Sequence, residues 1–93
     1  MSDILKLKAR IYLLTAEEGG RSTSVISGIR WDAQDKFGSW WGAPTTFTNG
    51  VGEPGNEYDV EIQMVSLADG RFNAGDGIEL REGNRVVAKG LIL

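Results

Sequence analysis

Gly50, Gly52 and Gly55 are spaced as G-x-G-x-x-G, a pattern whose backbone amides cradle a pyrophosphate when it joins a strand to a helix. That context is missing here. Pro54 interrupts the segment, and from Tyr58 onward the residues alternate with the period of a strand, so the glycines read as a loop and not as a dinucleotide site. No Walker A sequence is present, and no nucleotide hydrolysis is expected. The 13 carboxylates invite a glycosidase pair, but nothing in their spacing selects two of them, and a small barrel has little space for a cleft as well as a core. Asp32 with Asp35, or Asp69 with Asp76, could meet calcium, yet the twelve-residue loop pattern is absent. The chain has no Cys and no His, which removes disulfides, thiolate metal sites and the commonest general base. These residues predict a protein that is not an enzyme and carries no cofactor and no metal. The chemistry that remains is binding, and Trp40-Trp41 is its most informative element. Neighbours in a strand point to opposite faces, so both indoles cannot easily enter one small core and at least one is expected at the surface. It then either covers a barrel end or a loop, or anchors a protein, a base or a sugar ring.

The elements that must position these residues are strands. At 93 residues the chain has the size of one domain, 1–93, and its 41% hydrophobic and 25% charged content is that of an ordinary soluble globular protein. Thirteen glycines are about twice average usage and, with two prolines, look like turn residues. From Leu5 to Thr15, Leu5, Leu7, Ala9, Ile11 and Leu13 alternate with Lys6, Lys8, Arg10 and Tyr12, which predicts a strand with one face toward a core. Glu17 to Gly20 is a turn, and Ser24 to Ile29 reads as a second strand ended near Gly28. Between Trp31 and Asn49 only a strand near Thr45–Thr48 stands out, and the rest reads as a loop. Tyr58 to Val65 alternates clearly, with Val60, Ile62 and Met64 on the inner face. After a glycine-rich connection from Ala68 to Gly77, Ile78–Arg81 and Arg85–Leu93 flank Glu82, Gly83 and Asn84 as a β-hairpin. No segment shows a capped 3.6-residue period. The expected fold is all-β, about six strands closed into a barrel, since closure removes exposed edges.

The net charge of −3 argues against a strongly basic nucleic-acid binder, but the charge is unevenly spread. Met1–Trp31 holds five basic and three acidic residues, Asp32–Glu79 two and nine, and Leu80–Leu93 three and one. If the two ends of the chain meet, the molecule is polarised and can steer a charged partner. The N-terminus lacks the apolar stretch of a signal peptide and no stretch is long enough to span a membrane, which predicts a cytoplasmic location with no membrane partner.

Two stretches carry a specific likeness. KARIYLLTAEEGGRSTSVISGIR, Lys8 to Arg30, resembles the opening of the C-terminal β-barrel domain of elongation factor Tu, and ELREGNRVVAKGLIL, Glu79 to Leu93, is similar to that domain's final hairpin. Between them, EPGNEYDVEIQMVS resembles the family's P-G-D-N turn and following strand. The resemblance implies a six-stranded antiparallel Greek-key barrel with its two ends close together. It also implies a detached third domain, without the GTPase domain and second barrel that precede it in the family. In the family this barrel helps bind the T-stem of aminoacyl-tRNA and the nucleotide-exchange partner. The tRNA-facing Arg of the turn matches Arg21, and the hairpin Glu and Gly match Glu82 and Gly83. The next position, a His in the family, is Ser22, the proline and Gln after G-x-R are Trp31 and Asp32, and no basic residue stands near Ser66. An Asp at that position repels phosphate, which lowers the expectation of tRNA binding.

The reading is thus a non-catalytic barrel that binds another protein, with a translation component as one candidate, through Trp40, Trp41 and the segment from Trp31 to Asn49. RNA is the alternative partner, held by Arg21, Ser22, Arg81, Glu82, Gly83 and Arg85, with Lys6, Lys8 and Arg10 completing a basic patch. Arg21 and Arg81 have an architectural reading as well, because E-E-G-G-R and R-E-G-N-R could lie together and pair their opposite charges.

Overall fold

The computed structural model describes residues 4–93. Eight strands run along them: β1 (Ile4–Leu13), β2 (Val25–Ile26), β3 (Ile29–Gln34), β4 (Trp40–Phe47), β5 (Val51–Gly52), β6 (Glu57–Val65), β7 (Gly77–Glu82) and β8 (Arg85–Ile92). Six of them close a barrel in the order β1-β6-β4-β3-β7-β8, every described pairing being antiparallel, and β2 and β5 form a separate two-stranded sheet. β3, β4 and β6 follow one another across the barrel wall and β1 returns beside β6, which is the Greek-key arrangement. The helical turns among the described residues are two three-residue 3-10 segments, Ala16–Glu18 and Ser66–Ala68. No helix there is long and apolar enough to cross a membrane.

The period-two pattern decides which side chains fill the barrel. Ala9, Ile11 and Leu13 of β1 are buried with Leu5 and Leu7 packed beside them, and Val60, Ile62 and Met64 of β6 face them. Trp31, Phe47, Ile62 and Leu80 are among the largest fully buried side chains of this core, and Phe47 lies edge-on to Trp31 (6.2 Å between centroids) and to Tyr58 (5.3 Å). The one buried hydroxyl of this core, Thr45 Oγ1, donates to the Ala43 carbonyl at 3.0 Å, and no buried polar side-chain atom among the described residues lacks a partner.

Two expectations change. The second strand is not one run from Ser24 to Ile29, because Gly28 takes a positive φ (+91°) and turns the chain between the two-residue β2 and the barrel strand β3. The segment Trp31–Asn49 is not a loop either. β3 and β4 form a hairpin in register from Ile29↔Thr45 to Gln34↔Trp40, part of the barrel wall. The glycines of the G-x-G-x-x-G pattern lie on turns and on β5, and a strand follows them. Gly50 and Gly55 have positive φ, and a Cβ on Gly52 would stand 2.6 Å from the Phe47 ring.

The ends do meet: β8 pairs with β1 from Ala9↔Ile92 to Leu13↔Ala88, and Leu93 N–H donates to the Lys8 carbonyl at 2.8 Å. The polarity expected from this is muted, because β1 has β6 on its other side. Lys8 stands opposite Glu61 and Arg10 opposite Asp59, and Arg10 Nε donates to Asp59 Oδ1 at 2.8 Å. The basic face of β1 is thus matched, strand to strand, by the acidic face of β6.

Candidate functional site

The β3–β4 turn is built around one carboxylate. Asp35 Oδ1 accepts from the amides of Phe37 (2.8 Å) and Ser39 (2.9 Å), and Oδ2 accepts from the Trp41 indole N–H at 2.8 Å. The Asp35 backbone closes the turn by donating to the Ser39 carbonyl, and Gly38 supplies the positive φ (+93°). The Asp35 side chain is fully buried, with Arg71 Nη1 3.8 Å away. Burial pushes its carboxyl up, but the Trp41, Ser39 and Phe37 donors and the Arg71 charge outweigh this and hold it below its ordinary value.

This scaffold fixes which aromatics are buried. Trp41 is half-buried with its N–H occupied, while Trp40, 53% exposed, and Phe37, 64% exposed, stand out from the hairpin. Each carries a cation: Arg81 lies 5.6 Å from the Trp40 ring centre, and Arg71 and Lys36 lie 5.1 and 5.8 Å from that of Phe37. Beside the hairpin is an open recess of about 460 Å³, lined by Lys36, Arg71, Arg81 and Lys89 with Asp76 and Glu79 among them. Arg81 is steadied by Glu79 at 3.0 Å and Lys36 by Asp76 at 3.2 Å. Exposed rings flanked by paired arginines suit a protein surface that offers apolar groups and carboxylates.

The second cluster lies where the turn after β1 meets the β7–β8 hairpin. Thr15 and Glu18 form a reciprocal capping box, Glu18 also accepts from the Tyr12 hydroxyl at 2.7 Å, and Gly19 ends the turn with φ +92°. These bonds hold the Glu18 carboxyl below its ordinary value, the Thr15 amide contributing most. The chain then delivers Arg21 onto Glu82, to which its guanidinium is hydrogen-bonded while also reaching Thr23 Oγ1 at 3.1 Å. Glu82 Oε2 accepts from the Trp31 indole N–H at 2.9 Å as well. One carboxylate therefore ties the turn, the core of β3 and the last hairpin together, so the two motifs lie together with Arg21 paired between them, whereas Arg81 pairs with Glu79 on its own strand.

The residues expected to act together are consequently split. Arg21 and Glu82 hold each other, Arg81 belongs to the Trp40 recess, and Lys6, Lys8 and Arg10 lie along β1 beside the β6 carboxylates. Ser22, Gly83 and Arg85 are exposed, and Ser22 and Arg85 line a shallow depression with Ala16, Gly19 and Gly20. Phe37, Arg71 and the organising role of Asp35 were missed in the sequence. Asp35 and Gly38, spaced for a tight turn between Ala33 and Trp40, were the signal that could have found them.

Fold and surface define a small Greek-key barrel domain that presents aromatic and cationic groups on one side of its wall. No protein-family model matches the chain. Over 88 residues it is 33% identical to Elongation factor Tu 2 of Streptomyces avermitilis, a match that takes in 94% of this chain and 22% of that protein. The chain is a homologue of the C-terminal β-barrel domain of elongation factor Tu. It spans about a fifth of the length of the curated relative it matches.

Proposed function

We propose that this barrel is a non-catalytic binding module whose partner is a protein, engaged through Trp40, Phe37 and the arginines that flank them. The observation that carries this reading is the exposure of two large rings on one hairpin, each with an arginine against its face. Such rings lose little side-chain entropy on binding and exclude water from the charges beside them. The kinship with elongation factor Tu makes a component of translation the first partner to test, in the cytoplasm. RNA is the alternative. Ser22, Gly83 and Arg85 remain at the surface where the likeness to the family would put a transfer RNA, but Arg21 is engaged by Glu82.

The test is capture of partners from native lysate by the tagged chain, with and without ribonuclease, alongside Trp40→Ala and Phe37→Ala. Retention of a protein after ribonuclease, lost in either variant, supports the reading. Loss of the whole catch with ribonuclease, or its steep loss between low and moderate salt, favours RNA and overturns it.

A further inference from the structure

The barrel is closed, but one of its seams is not zipped along its full length. β4 pairs with β3 from Trp40 to Thr45, yet with β6 only at Thr45↔Ile62, Thr46↔Glu61 and Phe47↔Val60. The pairing stops one step before Pro44, whose nitrogen carries no proton to donate to the neighbouring strand. Backbone direction then decides what is left open. The Ser39 and Thr45 carbonyls both accept from the β3 side, from Asp35 N–H and Gly28 N–H at 2.8 Å. By the alternation of a strand, Trp41 and Ala43 also face β3, while Trp40, Gly42 and Pro44 turn their backbone groups toward the seam. Below Pro44, the N–H and C=O of Trp40 and Gly42 therefore have no strand to pair with among the described residues.

The opening is a groove of about 240 Å³ lined by Arg30, Gly42, Pro44 and, across from them, Ile4, Gln63 and Val65. Ile4 and Val65 are more than half exposed and stand opposite each other on β1 and β6. Gly42 has a specific part in it. A Cβ there would stand 2.9 Å from Arg30 Nη2, so the absence of a side chain lets the Arg30 guanidinium lie across β4 and reach the groove. Arg30 has no carboxylate within ion-pair distance among the described residues.

We infer that this seam takes an extended segment of a partner protein by strand addition to the Trp40–Gly42 edge of β4. The segment hydrogen-bonds the free backbone groups, sets a carboxylate opposite Gly42 against Arg30, and lays apolar side chains on Trp40, Ile4 and Val65. A second copy of this chain is the wrong occupant, because edge-to-edge pairing about a two-fold axis at Gly42 would bring two Arg30 guanidiniums together. The inference rests on the protein-binding reading above and gives the partner its chemistry: extended, free of proline over the paired residues, and acidic at one position.

The test has two parts. In the free chain, amide exchange followed by NMR should be about a hundredfold faster at Trp40 and Gly42 than at Trp41 and Ala43. A random ten-residue peptide library selected on the folded chain should then enrich alternating apolar sequences with a central Asp or Glu, and the best synthetic peptide should slow exchange at Gly42. Arg30→Glu should weaken that peptide by about tenfold or more. Pro44→Thr restores a donor to the seam, so it should protect the amide at position 44 and weaken the peptide while the chain stays folded. Free-chain protection at Gly42 equal to that at Ala43 overturns the inference. So does a selection that yields no peptide while succeeding on an established strand-adding domain. Peptides that protect Phe37 and Arg71 but not Gly42 overturn the seam and leave the protein-binding face standing.

Discussion

Replacing Glu82 by Ala removes the acceptor shared by Arg21 and Trp31, and the cost can be worked from its contacts. Trp31 is fully buried, so its indole N–H is left without a partner, at about 1–3 kcal/mol. The Arg21 pair is about a quarter exposed on each side, and solvent screening leaves it about 1 kcal/mol. The expected loss is about 2–4 kcal/mol, which for a domain of this size lowers Tm by roughly 10–25 °C. Glu82→Gln keeps an acceptor for the indole and should lose only about 1 kcal/mol. Arg21→Ala should lose about 1 kcal/mol and, in a double-mutant cycle with Glu82→Ala, show a coupling of the same size. Thermal and urea unfolding followed by far-ultraviolet circular dichroism read all four variants, the double variant included, against the unmutated chain. A second readout, binding of a transfer RNA, separates architecture from recognition. If Arg21 serves architecture, neither Arg21→Ala nor Glu82→Ala changes RNA affinity. A coupling below about 0.3 kcal/mol, or an Arg21 that binds RNA more tightly once Glu82 is gone, would refute the reasoning.

Acid should unfold the chain through its carboxylates. Asp59 is held below its ordinary value of 3.8 by its hydrogen bond from Arg10, and Asp76 by the Asn73 amide and Lys36. Asp35 and Glu18 are held low as well, so these groups contribute stability that is complete above the ordinary carboxylate range and lost as the pH falls through their depressed values. Urea midpoints should be flat from pH 7 to 5 and fall below about pH 4; a midpoint unchanged at pH 2.5 would contradict this. Gly90→Ala should prevent folding, since its Cβ would stand 1.9 Å from the Arg10 carbonyl oxygen on β1. A well-dispersed amide spectrum from that variant would show that β1 and β8 can move apart.

Sequence legibility followed the exposure of each strand. β1 and β6 have one face on the core and one on solvent, so Ala9, Ile11 and Leu13, or Val60, Ile62 and Met64, announced themselves by alternation. β3 and β4 hid because their outward positions are not uniformly polar. Gly42 and Pro44 lie where a charged residue would mark the outer face, and Trp40 and Trp41 are adjacent large apolar residues of which only one turns inward. The same feature that blurred the pattern, an apolar and side-chain-poor outer face, makes that wall a candidate surface. The likeness to elongation factor Tu lay in the turns after β1 and before β8, and those turns proved to be joined through Glu82. What the sequence concealed was partnership. Arg21, Arg81 and Arg85 look alike in a string of letters, and only the fold reveals that one is held by Glu82, one lies over Trp40 and one is open to solvent.

β1 is the first strand of the barrel, and both of its neighbours come late: β6 after more than forty residues and β8 at the end of the described chain. On a ribosome adding about 5–20 residues per second, the apolar face of β1 waits roughly 4–16 s from its own completion to that of β8. Throughout that interval Ile11 and Leu13 are attached to a backbone edge without its final partner, the kind of surface that chaperones hold and that nascent chains share with one another. Ring closure also comes at the entropic cost of a loop nearly as long as the domain, so folding should be slow for its size, on the millisecond-to-second scale of non-local β topologies. A fold that joins its first strand to its last therefore leaves an interval during synthesis in which other proteins can intervene.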